Sequence, residues 1–300
     1  MQNHTKGIIY AVVTALFWGV LAVALKVAVR RVDPATIVWF RFSLAFVPLL
    51  IWQAVKNPRE VRILIKPPWM LVVAALALAW NYIGFMWGVQ YTTPSNAQLF
   101  IQTGPVMLTL AGIVLFGEKL SRQQILGFLL ALAGLLLFYR QQLGAMTGST
   151  AGYNKGILLT LSGAVAWTVY AVLQKKLVTR FSTFTLNLFI FGLPTLLYLP
   201  LAKFSDLAGL SWGWWLLMAF LGINTLVAYT TLSVSLKYLE AGKVSIILIL
   251  NPLITFLMMG LFTQMEVSWI DGEHFTLLSI VGALVVLAGA ILVVRRQKRA

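Results

Sequence analysis

Few polar side chains interrupt the apolar stretches of this 300-residue chain, and their types decide what chemistry is open to it. Arg41, Gln98, Gln102 and Asn251 can hold a charge or a hydrogen bond. Trp18, Tyr82, Trp167 and Tyr229 offer ring faces with an N–H or O–H at the rim. Acid–base or metal chemistry needs clusters of His, Cys, Asp or Glu. Cysteine is absent, and the two histidines, His4 and His274, lie outside the apolar runs. All eight acids (Asp33, Glu60, Glu118, Asp206, Glu240, Glu266, Asp271 and Glu273) fall in loops or at the ends of runs. No GxxxxGK[ST] motif is present to hold a nucleoside triphosphate. These residues are equipped to bind and not to make or break bonds, so no enzyme, metal or cofactor is expected.

Composition says what must position them. Hydrophobic residues make up 60% of the chain and charged ones 10%, with mean hydropathy +0.89. Soluble chains carry about 25% charged residues, so a globular cytosolic enzyme, a disordered chain and a disulfide-stapled domain are all excluded. A bilayer core takes about 20 apolar residues per helix. Ten such runs lie near 8–29, 35–54, 69–88, 95–116, 123–139, 156–176, 183–201, 212–236, 243–264 and 276–294. Period-two alternation is missing, so these are helices and not barrel strands. The first run is span-length and no small-residue cleavage site follows it, which favours a first span over a signal peptide.

With the N-terminus in the cytoplasm, sixteen of the 23 Lys and Arg residues fall on the inner side. Five fall outside (Arg30, Arg31, Arg140, Lys155 and Lys203), and Lys26 and Arg41 lie within spans. The last inner group is Arg295, Arg296, Lys298 and Arg299. Lys and Arg near short loops stay cytoplasmic, so a multi-pass inner-membrane protein with both termini cytoplasmic is expected. The net charge of +15 is then a topology signal whose partner is the lipid bilayer and not nucleic acid.

The chain repeats itself. An offset of 149 pairs Gly7 with Gly156, Trp18 with Trp167 and Lys26 with Lys175, and an offset of 146 pairs Pro48 with Pro194. At 147, Tyr82 meets Tyr229, Tyr91 meets Tyr238 and Pro105 meets Pro252; at 155, Gly127 and Gly134 meet Gly282 and Gly289. The reading is an all-α membrane protein of ten transmembrane helices, built as two five-helix repeats over 1–145 and 150–300. Five is odd, so the second copy runs inverted. Inverted repeats place a transporter's substrate near the midplane between them.

The segment 40-FRFSLAFVPLL-50 and the ending 118-EKLSRQQILGFLLALAGLLL-137, with the two five-helix repeats, resemble the EamA family of the drug/metabolite transporter superfamily across essentially the whole chain. The aromatic-rich interior is similar to that of YddG-type exporters of aromatic amino acids. That resemblance implies an aromatic lining the central cavity at Trp167 and a pathway lined by the third helix. The second repeat departs from the first at Asn187, where the first has Arg41, and Glu118 has only the near-counterpart Glu266.

Each candidate has two readings. Trp18 lies ten residues into its run, near the bilayer centre at about 1.5 Å per residue, with Trp167 at matching depth. The pair either packs helices or forms a stacking wall. Tyr82 and Tyr229 either sit near an interface or present phenols to a substrate. Arg41, costly in a span, either snorkels, caps carbonyls or attracts a carboxylate. Gln98 and Gln102 share a helix face and suggest a wetted wall, matched by Asn251. Pro105 and Pro252 each remove a helix hydrogen bond, giving a kink, a gating bend or a carbonyl free to meet an ammonium. Lys26 and Lys175 either snorkel or act at the cavity mouths, and the Gly127/Gly134 and Gly282/Gly289 pairs are expected to pack closely.

The expected function is export of small metabolites, above all aromatic and other apolar amino acids. It would proceed by alternating access without ATP, facilitatively, since no span holds a carboxylate or histidine for a proton. Two fused repeats complete a path, so a monomer is expected. The rivals are a carrier of another solute on the same scaffold (a drug, a nucleotide precursor or a sugar) and a non-transporting membrane scaffold.

Overall fold

The computed structural model describes residues 2–145, 151–273 and 276–294. The expected junction between repeats at 146–150, His274 and the basic group Arg295, Arg296, Lys298 and Arg299 lie outside the described residues. Among the described residues the chain is helical and has no strand. The helices are α1 (Gln2–Ala28), α2 (Pro34–Lys56), α3 (Trp69–Tyr91), α4 (Pro94–Ile101), α5 (Thr103–Phe116) and α6 (Arg122–Ala145). They continue as α7 (Ala151–Leu177), α8 (Thr183–Tyr198), α9 (Trp212–Tyr238), α10 (Ala241–Leu248), α11 (Asn251–Gln264) and α12 (Leu277–Val294).

Eight helical stretches among the described residues are long and apolar enough to cross a membrane, with α4 joined to α5 and α10 joined to α11 as one stretch each. The other two expected spans coincide with α6 and α12. Helix starts follow local chemistry. The Asp33 carboxylate accepts from the Ala35 N–H ahead of Pro34, and the Thr93 hydroxyl accepts from the Asn96 N–H ahead of Pro94. Ser182 caps α8 in the same way. In each case a side-chain oxygen satisfies one of the orphan N–H groups of a first turn.

The two prolines act where expected. Pro105 has no N–H for the Ile101 carbonyl, and the helix breaks at Gln102 between α4 and α5. Pro252 leaves Leu248 in the same position, and the chain turns at Ile249 and Leu250 between α10 and α11.

The packing partners come from opposite halves of the sequence: α1 with α9, α2 with α8, α3 with α7, α4 with α11, α5 with α10 and α6 with α12. Glycine permits the closest of these contacts. A Cβ on Gly134 would sit 2.7 Å from the Gly282 carbonyl oxygen, and one on Gly289 would sit 2.5 Å from that of Gly127. The four glycines therefore hold α6 and α12 backbone to backbone, the close approach small residues allow in lipid.

Candidate functional site

A single cavity gathers residues from most of these helices. Its wall is Trp18 and Leu21 of α1, Arg41 of α2, and Asn81, Tyr82 and Phe85 of α3. Gln98, Ile101, Gln102 and Pro105 come from the α4–α5 break, Trp167 from α7, Tyr229 from α9 and Asn251 from the α10–α11 break. Of the ten candidates for substrate binding or helix bending nine lie in this wall, and Pro252 is buried one residue beyond Asn251. The cavity is small, with room for a few water molecules.

Five of the thirteen lining residues are aromatic. Trp18 and Trp167 meet edge to face with centroids 5.9 Å apart, and Trp18 lies 5.3 Å from Tyr229. Tyr229 is 5.5 Å from Tyr82 and 5.7 Å from Tyr170. Two residue pairs separated by about half the chain thus touch each other in one cluster. Offset and edge-to-face contacts of this kind suit the ring quadrupole.

Polar atoms fill the gaps. Three consecutive carbonyls of α1 receive side-chain donors from three different helices: Asn224 Nδ2 donates to Phe17 at 2.7 Å, Gln98 Nε2 to Trp18 at 2.8 Å and the Thr255 hydroxyl to Gly19 at 2.6 Å. Asn81 Nδ2 donates to the Gly163 carbonyl at 3.0 Å. Trp167 Nε1, Gln102 Oε1 and Asn251 Oδ1 are buried without a hydrogen-bond partner. The Tyr82 hydroxyl makes no well-aligned bond either. Buried polar groups normally have partners, so these atoms mark where a ligand or water would bond.

Arg41 neither snorkels nor caps a carbonyl. It is 2% exposed, its Nε donates to the Thr225 hydroxyl at 3.1 Å, and its guanidinium carbon lies 4.3 Å over the Tyr82 ring. Its neighbours are thus neutral, and no acid pairs with it among the described residues.

The eight carboxylates lie elsewhere, seven of them with partners. Glu118 pairs with Lys175, Asp271 with Arg30, Asp33 with Lys203 and Glu240 with Lys243. Glu60 accepts from the Ser182 and Thr185 hydroxyls and Gln53, and the Thr185 hydrogen bond first of all holds its carboxyl below the ordinary carboxylate range. Asp206 accepts from the Asp33 N–H, Glu273 from the Ser95 N–H, and Glu266 lies just past α11. The cavity wall therefore holds one formal positive charge and no negative one.

The two ends of the bundle are built from matching parts. At one end Glu118 accepts from the Ala241 and Gly242 N–H groups at 2.8 and 3.1 Å, at the start of α10. Lys175 reaches Glu118 at 3.1 Å and donates to the Leu239 carbonyl. At the other end Glu273 meets the start of α4 through Ser95, while Lys26 donates to the carbonyls of Val89, Gln90 and Thr92 at the end of α3. Burial pushes the Glu273 carboxyl up, against the pull of its Ser95 hydrogen bonds and of Lys26.

Two expectations are thereby corrected. The residue standing where Glu118 stands is Glu273 and not Glu266, which takes the positive-φ place (51°) that Gly117 holds (63°) after α5. Lys26 and Lys175 are held by backbone carbonyls instead of reaching out into solvent. Trp80, at interior depth, is 45% exposed on the outside of the bundle and donates to the Ser162 hydroxyl.

The sequence profile of the EamA-like transporter family matches residues 5–140 and 154–295. The chain is 33% identical over 292 residues to an Escherichia coli K12 protein described as the uncharacterized inner membrane transporter YhbE, covering 96% of this chain and 91% of that one. It is 30% identical to a Haemophilus influenzae protein described as an uncharacterized transporter, covering 97% and 95%. A Salmonella typhimurium protein described as a probable amino-acid metabolite efflux pump is 24% identical over 169 residues, 56% of this chain and 52% of that one. One solved crystal structure superposes with a TM-score of 0.74 at 19% identity over 97% of both chains, which speaks to the fold alone. With the apolar helices and the profile match spanning both halves, the chain is a multi-pass membrane protein that belongs to the EamA-like transporter family.

Proposed function

We propose that this protein exports small metabolites, above all aromatic and other apolar amino acids, through the ring-lined cavity by alternating access without ATP. The observation that carries the reading is the wall itself: five aromatic rings, one buried guanidinium without an acid, and unpartnered Trp167, Gln102 and Asn251 atoms. Rings accept an apolar side chain, Arg41 accepts a carboxylate as a charge-assisted pair, and the amide oxygens accept from an ammonium. The Salmonella typhimurium relative's description as a probable amino-acid metabolite efflux pump supports the same class.

The mechanism rests on two inverted five-helix repeats, 1–145 and 150–300. Near a two-fold axis a residue touches its own counterpart, and elsewhere contacts come in exchanged pairs. Trp18 against Trp167 and Tyr82 against Tyr229 are of the first kind. Gly134 against Gly282 with Gly127 against Gly289 are of the second. One repeat rocking on the other would open the cavity to one face at a time, with Lys175–Glu118 closing the end that carries both termini, taken as cytoplasmic in an inner membrane. No carboxylate lines the cavity, so transport is facilitative, and one chain, a monomer, holds the whole path. The rival with support on the same scaffold is a carrier of another small solute, a drug, nucleotide precursor or sugar, since the wall would also take other anions with an apolar body.

Ligand-dependent quenching of tryptophan fluorescence tests the site. Phenylalanine or leucine should quench the wild type, and Trp18→Phe with Trp167→Phe should abolish the change although nine of the 11 tryptophans remain. Quenching that survives the double substitution, or is absent for every amino acid, contradicts the reading.

A further inference from the structure

We infer that the cavity reads its substrate's carboxylate and not its ammonium: the ligand class is the apolar or aromatic monocarboxylate, with or without an amino group, and the matching amine is excluded. This rests on the cavity being the substrate site and goes a step further, to the charge the site selects.

The charge arrangement is one-sided. Arg41 is 2% exposed, it donates to the Thr225 hydroxyl, and Tyr82 covers one face of the guanidinium, so its partners are neutral. A guanidinium stays charged and its planar fork matches a carboxylate. Left without an acid in a buried wall, it favours any ligand that brings one. The opposite charge has no equivalent here, because none of the eight carboxylates lies in the cavity wall. An ammonium in the same space meets only neutral groups, the amide oxygens of Asn81, Gln98, Gln102 and Asn251, and ring faces. It also meets repulsion from Arg41, which water screens poorly in a buried site. A zwitterion keeps the favourable pair, and a bare amine keeps only the repulsion.

Three ligands of one shape separate these terms: phenylalanine, 3-phenylpropionate and phenethylamine, titrated calorimetrically into the purified full-length protein in lipid nanodiscs. Phenylalanine and 3-phenylpropionate should bind within about tenfold of each other, and phenethylamine at least about 30-fold more weakly, the lower end of what losing a buried charge partner costs. Arg41→Gln should bring acid and amine within about tenfold, while Arg41→Lys, which keeps the charge, should keep the preference even if the neutral variant fails to fold. Phenethylamine binding as tightly as 3-phenylpropionate in the wild type overturns the inference. If none of the three binds, the aromatic reading of the cavity fails, and hexanoate against hexylamine then decides the charge preference alone. Hexanoate preferred supports it; hexylamine bound equally well, or neither bound, overturns it.

Discussion

Lys175 Nζ lies 3.1 Å from Glu118 Oε1, and both side chains are largely buried, at 14% and 7% exposure. Glu118 also closes the N-terminus of α10 through two backbone N–H groups, so this one carboxylate ties the end of α5 to α7 and α10. Breaking a buried pair by removing one partner costs about 3–5 kcal/mol. Glu118→Gln should therefore favour the state open at this end. The chain has no cysteine, so Ile101→Cys gives a single reporter in the cavity wall. Its labelling by a membrane-impermeant maleimide from that side should speed up at least about tenfold, the effect of about 1.4 kcal/mol. Unchanged labelling would mean that the pair does not hold the end shut.

Trp167 combines an unpartnered Nε1 with an edge-to-face contact to Trp18. Trp167→Ala should reduce amino-acid export at least about tenfold, while Trp167→Phe, which keeps a ring worth about 0.5–1.5 kcal/mol in such contacts, should restore part of it. Export of tritiated phenylalanine from loaded cells, with protein levels matched by immunoblot, checks this. Wild-type export in the alanine variant would make Trp167 a packing residue.

The α6–α12 contact predicts a stability effect remote from the cavity. Gly134→Leu places a branched side chain where the Gly282 carbonyl and Val286 leave no space. Overpacking should cost about 1–3 kcal/mol, read as a lower melting temperature in detergent. A melting temperature equal to that of the wild type would show that the two helices can separate freely.

Much of the site was legible from the sequence because rare residues recur at a fixed offset. Tryptophan at bilayer depth and proline inside an apolar run are each costly, so their repetition at 18 and 167 and at 105 and 252 carries more information than any match of Ala with Leu. The phase of a helix was not legible. α3 is apolar all round, and nothing in its composition says that Tyr82 faces the cavity while Trp80 faces outward. Arg41 signalled its cost but not its destination, which only the neighbours Thr225 and Tyr82 settle. Glu273 was overlooked as the match of Glu118 because the loops that carry them differ in length, and the equivalence lies in what each carboxylate caps.

Glu60, in the 3-10 turn after α2, has its carboxyl held below the ordinary range by the Thr185, Ser182 and Gln53 donors. A lowered carboxylate contributes stability above its unfolded value and loses it as pH falls through its folded value. The melting-temperature gap between wild type and Glu60→Gln should be widest near pH 7 and close as pH falls below about 4, the ordinary carboxylate range. A gap that stays constant with pH would show that the ionised form has no special hold on Ser182 and Thr185.

Counterflow in proteoliposomes tests export through the cavity most directly. Vesicles holding the purified protein and loaded with unlabelled phenylalanine, at equal pH inside and out, should transiently accumulate external labelled phenylalanine. Arg41→Met vesicles should not. Accumulation no greater than in protein-free vesicles for every apolar amino acid tried, or accumulation that requires an imposed pH gradient, would contradict facilitated exchange at this site.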